Sequence, residues 1–401
     1  MNGPAEIPYG AWWSTPFCKW QTDFQHLHAL KFAAHVAQDA LAQRGIPGEV
    51  FDFAVLGSTI PQPHCFYGAP WLMSLAGMGG IAGPSVAQAC ATGVRAIAAA
   101  AGELALGLAT TALVVTADRT SNGAHLYYPE PAGMGGTGSS ENWVLDNFSC
   151  DPNGGHAMIT TAENVAAKHA IPTELQHEVV LRRYAQYQDA LADDRAFQKR
   201  YMRLPFEVPR PRFDKTATII AGDVGVTPTS GEALARLRPV LPDGTVTFAA
   251  QTHPADGNAG LVVTTPARAA ELSIDANVRV RLLGFGQARV APAYMPEAVV
   301  PAASVALAQA GLAIADIEAV KTHNPFAVND IVFARATGFP WERMNNYGCS
   351  LIWGHPQAPT GTRAIIELIE ELALRGGGRG LFSGCAAGDT AMALVVGVEV
   401  A

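Results

Sequence analysis

Two hydrophobic patterns alternate along this 401-residue chain. Short continuous apolar runs, Phe53-Ala54-Val55-Leu56-Gly57 and Thr111-Ala112-Leu113-Val114-Val115-Thr116, predict strands buried on both faces. Between them, Pro84 to Gly107 predicts a helix opening near Cys90, with a middle (Ala98 to Ala101) small enough for close packing. The second half repeats the order: a strand at Ile317 to Val320, a helix from Gly361 to Leu374, a strand at Gly380 to Ser383 and a closing strand from Ala391 to Val400. Unbroken apolar strands separated by helices predict a mainly parallel sheet covered on both faces.

The order repeats because the sequence does. Thr92-Gly93-Val94-Arg95-Ala96-Ile97 returns as Thr360-Gly361-Thr362-Arg363-Ala364-Ile365, and Glu103-Leu104-Ala105-Leu106 returns without a gap as Glu371-Leu372-Ala373-Leu374. Two such halves, each contributing a central helix, predict an α/β protein layered as an α/β/α/β/α sandwich. Residues from about 120 to 244 have another character, rich in Gly, Pro, aromatic and charged side chains. Within them Thr173 to about Ala192 predicts a helix, and Thr173 with Gln176, like Thr160 with Glu163, has capping-box spacing. The expected organisation is a first half over 1–119 completed by 245–272, an inserted loop domain over 120–244 facing the substrate, and a second half over 273–401.

A composition of 49% hydrophobic and 15% charged residues implies a large core. No uninterrupted apolar run is long enough to span a bilayer, and the opening Met1 to Glu6 lacks a secretory pattern, so a cytoplasmic location is expected. A net charge of −8 argues against a nucleic-acid partner. Nine of the 27 basic residues nevertheless crowd together: Arg182, Arg183, Arg195, Lys199, Arg200, Arg203, Arg210, Arg212 and Lys215. That cluster reads either as a solvated helix face or as a site for a phosphate-bearing ligand.

The six cysteines contain no CxxC pair, which excludes a disulfide framework and a zinc ribbon as first readings and leaves a catalytic thiol; no metal site is expected. Cys90 precedes one copy of the repeat and Gly354-His355-Pro356 the other. A thiol on one half and an imidazole on the other predict covalent catalysis at Cys90, in a site between the halves, with His355 as base. Near a helix N-terminus the helix dipole favours the thiolate. Singly, Cys90, His323 and His355 read more readily as packed core residues, and Cys385 could be simply a small residue at a tight strand end; their joint order carries the chemistry.

That order resembles the thiolase family from about residue 50 onward. Gln88-Ala89-Cys90-Ala91-Thr92-Gly93-Val94-Arg95-Ala96 is similar to the family's nucleophile motif, and Met158-Ile159-Thr160-Thr161-Ala162-Glu163-Asn164-Val165-Ala166 to its loop-domain helix. Leu237-Arg238-Pro239 with Gly244 to Thr247 and Asp256-Gly257 is similar to the segment returning to the core. His323-Asn324-Pro325-Phe326-Ala327, Asn346-Tyr347-Gly348 with Gly354-His355-Pro356, and Cys385 with Gly388 follow in order. The resemblance implies the duplicated five-layer fold and coenzyme A as co-substrate with no bound cofactor. It also implies ping-pong cleavage of a 3-oxoacyl-CoA, or the reverse Claisen condensation, through an acyl-enzyme on Cys90. Cys385 would protonate the carbanion that leaves, a task within reach of a thiol. His323 and His355 would polarise the enolate oxygen, one of them through water, and the N–H groups of Cys90 and Ala387 would hold the acyl-enzyme oxyanion, with Gly388 shaping that loop. A homodimer or dimer of dimers is implied as well.

The sequence departs from common thiolases in ways that bear on substrate. Asn324 and Pro325 replace the Glu-Ala of Asn-Glu-Ala-Phe, and Ala387-Gly388-Asp389 stands where three glycines are usual. Thr252, with His253 beside it, takes the place of a Ser facing the pantetheine. Val226 and Ala233 take the places of coenzyme A contacts, which leaves Arg182, Arg183 and their basic neighbours as candidates to hold coenzyme A. Trp353, with Tyr127, Tyr128, Trp143 and Phe326, is expected near a pocket for a branched or aromatic acyl group. This set looks like divergent thiolases that act with a small zinc- and OB-fold-containing partner, one of which cleaves benzoylsuccinyl-CoA in anaerobic toluene breakdown. The alternatives are a decarboxylating ketoacyl-synthase-like enzyme, which would lack Cys385, and a degenerate acyl-CoA-binding scaffold, which would not need the four catalytic side chains.

Overall fold

A computed structural model describes residues 5–401. Five layers are stacked. Outer helices Ala29–Gln43 and Gly68–Leu75 cover the strands Phe53–Gly57, Ser85–Val86, Thr111–Arg119 and Ala255–Thr264. The central helices Thr92–Ala105 and Ala358–Leu374 come next. Beneath them lie the strands Val278–Arg289, Ala319–His323, Gly377–Ala386 and Thr390–Val400, covered outside by Val299–Ala310. The short strand Glu6–Pro8 pairs with Val278–Arg289 on one side and touches Ala255–Thr264 on the other, so the half-sheets form one continuous path.

The expectation of a mainly parallel sheet is corrected. Phe53–Gly57 pairs in parallel with both of its neighbours, and Ala319–His323 with Gly377–Ala386, but the other pairings of this sheet are antiparallel. Continuous apolar runs report burial on both faces, not strand direction. Gly377–Ala386 and Thr390–Val400 are joined only by Ala387, Gly388 and Asp389, a connection too short for a parallel crossover.

The repeated motif lies at the molecular centre, where its two helices pack on each other. A Cβ on Gly93 would come within 2.7 Å of the Thr362 backbone nitrogen and 2.9 Å of the Ala358 carbonyl, whereas one on Gly361 would meet nothing nearer than 3.5 Å. Only the first repeat therefore needs its glycine. Gly93→Ala is expected to destabilise the protein by about 1–3 kcal/mol through overpacking against backbone that cannot rotate away. Gly361→Ala is expected to be neutral or stabilising by up to about 1 kcal/mol from helix propensity. Chemical denaturation midpoints of the two variants check the asymmetry, and equal midpoints would contradict it.

The helix expected from Pro84 begins only at Thr92, because Ser85–Val86 pairs as a strand with Phe53–Gly57 and Ala89 turns the chain with φ +42°. Between Thr111–Arg119 and Ala255–Thr264 the chain forms the hairpins His125–Tyr128/Ser139–Asn142 and Phe206–Pro209/Thr216–Ile220 and the helices Met158–Lys168 and Thr173–Lys199. The last is broken at Ala192–Arg195, where Asp193, Asp194 and Arg195 have positive φ. Neither capping box forms. Thr173 Oγ1 donates to the Thr245 carbonyl and Gln176 to the Thr245 hydroxyl, while Glu163 accepts the N–H groups of Thr245 and Val246. Tertiary partners outcompeted the local ones.

Candidate active site

Each copy of the repeat positions one reactive group by the same device. Three residues before the threonine that opens each repeat, the backbone turns through a left-handed φ, +42° at Ala89 and +41° at Gln357. Non-glycine residues adopt such values rarely, and they persist where surrounding contacts enforce them. In the first copy Thr92 Oγ1 donates to the Ala89 carbonyl (2.7 Å) and accepts the Gln88 N–H (2.8 Å), latching the turn that presents Cys90. In the second copy Thr360 Oγ1 sits 2.7 Å from Nδ1 of His355. Buried Asp118 joins the two halves here, accepting the N–H groups of Thr59, Ile60 and Ala358 at the start of the second central helix.

The sulfur of Cys90 and a ring nitrogen each of His323 and His355 lie within 4.8 Å of one another. The two imidazoles are stacked, centroids 4.0 Å apart and planes 28° from parallel. Their Nε2 atoms are buried and without a hydrogen-bond partner. The network assigns the tautomer of His323: the Ser350 hydroxyl donates to Asn324 Oδ1 (3.1 Å), so it accepts from Nδ1–H of His323 (2.8 Å) and leaves Nε2 as a bare lone pair. Asn324, expected to face the substrate, is instead buried behind this pair, bonded also to Asp330 and Cys349. Cys385 is the penultimate residue of the strand Gly377–Ala386, buried, with Asn329 Nδ2 3.3 Å from its sulfur. Gly388 (φ +80°) lets the chain reverse immediately after it.

Burial opposes the thiolate that the helix dipole favours. Cys90 is half-buried at the cavity wall, and desolvation there pushes the thiol up to about 12, although the N–H groups of Ala387 and of Cys90 itself point at it and act the other way. Burial brings His355 down to about 3 and holds His323 well below the usual imidazole range, with His355 adding to the effect. Burial, then the neighbouring Cys90, raises Cys385 as well. The resting pair is therefore a neutral thiol beside a neutral imidazole, and the proton moves only as the sulfur attacks. Alkylation of Cys90 by iodoacetamide should accordingly rise about tenfold per pH unit from pH 6 to 10, because thiolate stays the minor form until about 12. A plateau in that range would indicate a preformed ion pair.

Cys90, His355 and Ala387 line a cavity of about 820 Å³ whose walls are largely apolar, and His323 and Cys385 are not part of that lining. Thr252, His253 and Phe326 line it. Other site expectations are corrected. Trp353 is fully buried outside the lining, its ring 4.4 Å from the Arg363 guanidinium. Tyr127 and Tyr128 project from an exposed hairpin, and Trp143 donates its indole N–H to the Thr59 carbonyl. The aromatic wall is built instead from Trp20, Phe148, Phe248 and Phe326. The basic cluster does not reach the cavity. Arg183 is completely buried, spending its donors on Asp330, Gln186 and the carbonyls of Met344 and Trp341, while Arg182 bonds the Glu342 carbonyl. Arg200 holds Glu370 and Lys199 holds Asp194. Lys19 is the Lys or Arg side chain among the described residues that does line the cavity.

Sequence reasoning missed Asn329, Ser350 and Thr360, which hold Cys385, His323 and His355. Only Thr360 carried a signal, as the threonine of the repeat.

Comparison with known proteins agrees with this geometry. Residues 12–267 match the family description "Thiolase, N-terminal domain" and residues 276–398 "Thiolase, C-terminal domain". The chain belongs to the thiolase family, and with it to the acyltransferases. It is 26% identical over 374 residues to the acetyl-CoA acetyltransferase of Allochromatium vinosum, covering 92% of this chain and 93% of the relative. It is 28% identical over 432 residues to the 3-ketoacyl-CoA thiolase of Erwinia tasmaniensis, covering 96% and 95%. In fold it matches human mitochondrial 3-ketoacyl-CoA thiolase in complex with CoA, with a TM-score of 0.87, 23% identity and 98% of each chain covered. The Bacillus anthracis acetyl-CoA acetyltransferase superposes with a TM-score of 0.89 at 23% identity, over 99% of this chain and all of that one. No helix among the described residues is long and apolar enough to cross a membrane.

Proposed function

We propose that this chain cleaves a 3-oxoacyl-CoA with coenzyme A, or runs the reverse Claisen condensation, through an acyl-enzyme on Cys90. The observation that carries this reading is the convergence of the Cys90 sulfur with the imidazoles of His323 and His355, at a place where Cys90 and His355 line an apolar cavity. His355 takes the thiol proton as sulfur attacks the 3-oxo carbon, and the oxyanion is met by the N–H groups of Cys90 and Ala387. Scission of the carbon–carbon bond leaves an enolate whose oxygen faces the two imidazoles, and Cys385, oriented by Asn329, delivers the proton to its carbon. Incoming coenzyme A then takes the acyl group and frees Cys90.

The inserted segment over 120–244 acts as the lid of this cavity, supplying Phe148, Met158 and Leu234 to its wall. With Trp20 and Phe248 these side chains favour a branched or aromatic acyl group over a short linear one. A decarboxylating condensation is disfavoured by Cys385, which such a reaction does not require. The test is incubation with coenzyme A and a panel of linear, branched and aromatic 3-oxoacyl-CoAs, with products identified by mass. Shortened acyl-CoA from the bulky substrates supports the reading. Carbon dioxide release from malonyl thioesters without thiolysis would replace it with the condensing reaction.

A further inference from the structure

A second group of ligating side chains has no part in this chemistry. Asp151 and His156 lie on the loop before the Met158–Lys168 helix, and Asp389 on the turn after Cys385. One donor atom from each lies within 4.8 Å of the other two. Both carboxylates are more than nine-tenths buried, Asp151 being 7% exposed and Asp389 2%. One oxygen of each is engaged: Asp389 Oδ1 accepts the Tyr294 N–H (3.2 Å), and Asp151 Oδ1 accepts those of Asn153 (2.8 Å) and Gly154 (2.7 Å). Among the described residues the second oxygens and the His156 ring have no hydrogen bond, and no Lys or Arg pairs with either carboxylate. Two carboxylates that converge with an imidazole from distant segments, with no basic side chain between them, repel one another, and a cation joining them would remove that repulsion. Two oxygens and an imidazole nitrogen suit a divalent transition metal better than calcium, which takes oxygen alone.

We infer that Asp151, His156 and Asp389 bind a divalent transition-metal cation that ties the inserted segment to the catalytic turn. The inference does not depend on the proposed reaction, and no step occurs at the metal. Its consequence is mechanical. Phe148 and Met158, flanking the Asp151–His156 loop, line the cavity, and so does Ala387, two residues before Asp389. A cation held by all three side chains would fix the wall against the turn whose N–H points at Cys90.

Mn²⁺ is the probe, because the Cys90–His323–His355 cluster, also within 4.8 Å, would compete for thiophilic Zn²⁺. Protein stripped with chelator should bind one equivalent of Mn²⁺ by electron paramagnetic resonance titration and gain in Tm, and Cys90→Ser should bind it equally well. His156→Ala and Asp389→Asn should each weaken binding at least tenfold. Because His156 is only half-buried, the metal-free Tm of His156→Ala should match wild type, which keeps the test valid even if Asp389→Asn fails to fold. Absence of binding at millimolar Mn²⁺, unchanged affinity in His156→Ala, or loss of binding in Cys90→Ser would overturn the site.

Discussion

Cys90→Ser is expected to lower thiolysis by at least about 10⁴-fold and to abolish the acyl adduct detected by mass, with Tm unchanged. Serine is nearly isosteric, so the Ala89 turn and its latch by Thr92 should survive. The alcohol is much harder to deprotonate than a thiol, and His355, held at about 3 by burial, is too weak a base to compensate. The loss should therefore exceed the 10²–10⁴ that a general base ordinarily contributes. A Cys90→Ser enzyme within tenfold of wild type would refute the nucleophile assignment. His355→Ala should cost less, about 10²–10⁴-fold, since the thiol keeps the N–H groups of Ala387 and Cys90 at its sulfur.

Arg363→Met is expected to destabilise the fold by about 3–5 kcal/mol, the cost of leaving buried charge without its partner. Arg363, from the second repeat, is fully buried on the central helix Ala358–Leu374. Its guanidinium grips Asp223 of the inserted segment with two bonds (2.6 and 2.9 Å) and reaches Glu367 at 3.0 Å. Its face lies 4.4 Å from the Trp353 ring and 4.8 Å from that of Phe17. Methionine fills much of the volume but leaves the Asp223 carboxylate with only the Phe17 N–H, Tyr187 and Gln198. Arg363→Met with Asp223→Asn should recover part of the loss, because the uncompensated charge is removed. Urea denaturation with exposed Arg212→Met as control measures the effect; equal midpoints for Arg363→Met and the control would exclude a buried ionic lock. Arg95, at the matching position of the first repeat, holds Gln88 and Gln287 instead, so the repeat preserved the residue and not its role.

What the sequence made legible follows from how locally each feature is encoded. The strand Phe53–Gly57 and the helix break at Ala192 were readable because continuous burial and helical periodicity write themselves into neighbouring residues. The capping boxes failed because Thr173, Gln176 and Glu163 found donors and acceptors at Thr245 and Val246, tens of residues away. The basic cluster misled for the same reason: the partners of Arg183 and Arg200, namely Asp330, Glu370 and the Met344 carbonyl, come from the other half of the chain and hold those two side chains away from the cavity. The aromatic wall was misassigned because nearness to His355 in sequence put Trp353 under Arg363 rather than in the cavity.

By itself the sequence determined the duplicated architecture, the thiol on one copy and the imidazole on the other, since repeats and motif order survive without knowledge of contacts. Tertiary structure alone decided three things: which glycine of the repeat is needed, which charges are consumed in holding the halves together, and how protons are distributed at rest. Each depends on what packs around a group from distant segments. A dipole argument from Cys90's local position favoured the thiolate, whereas desolvation by the segments packed around it pushes the thiol up to about 12. Desolvation is a property of the assembled core, and no window of neighbouring residues contains it.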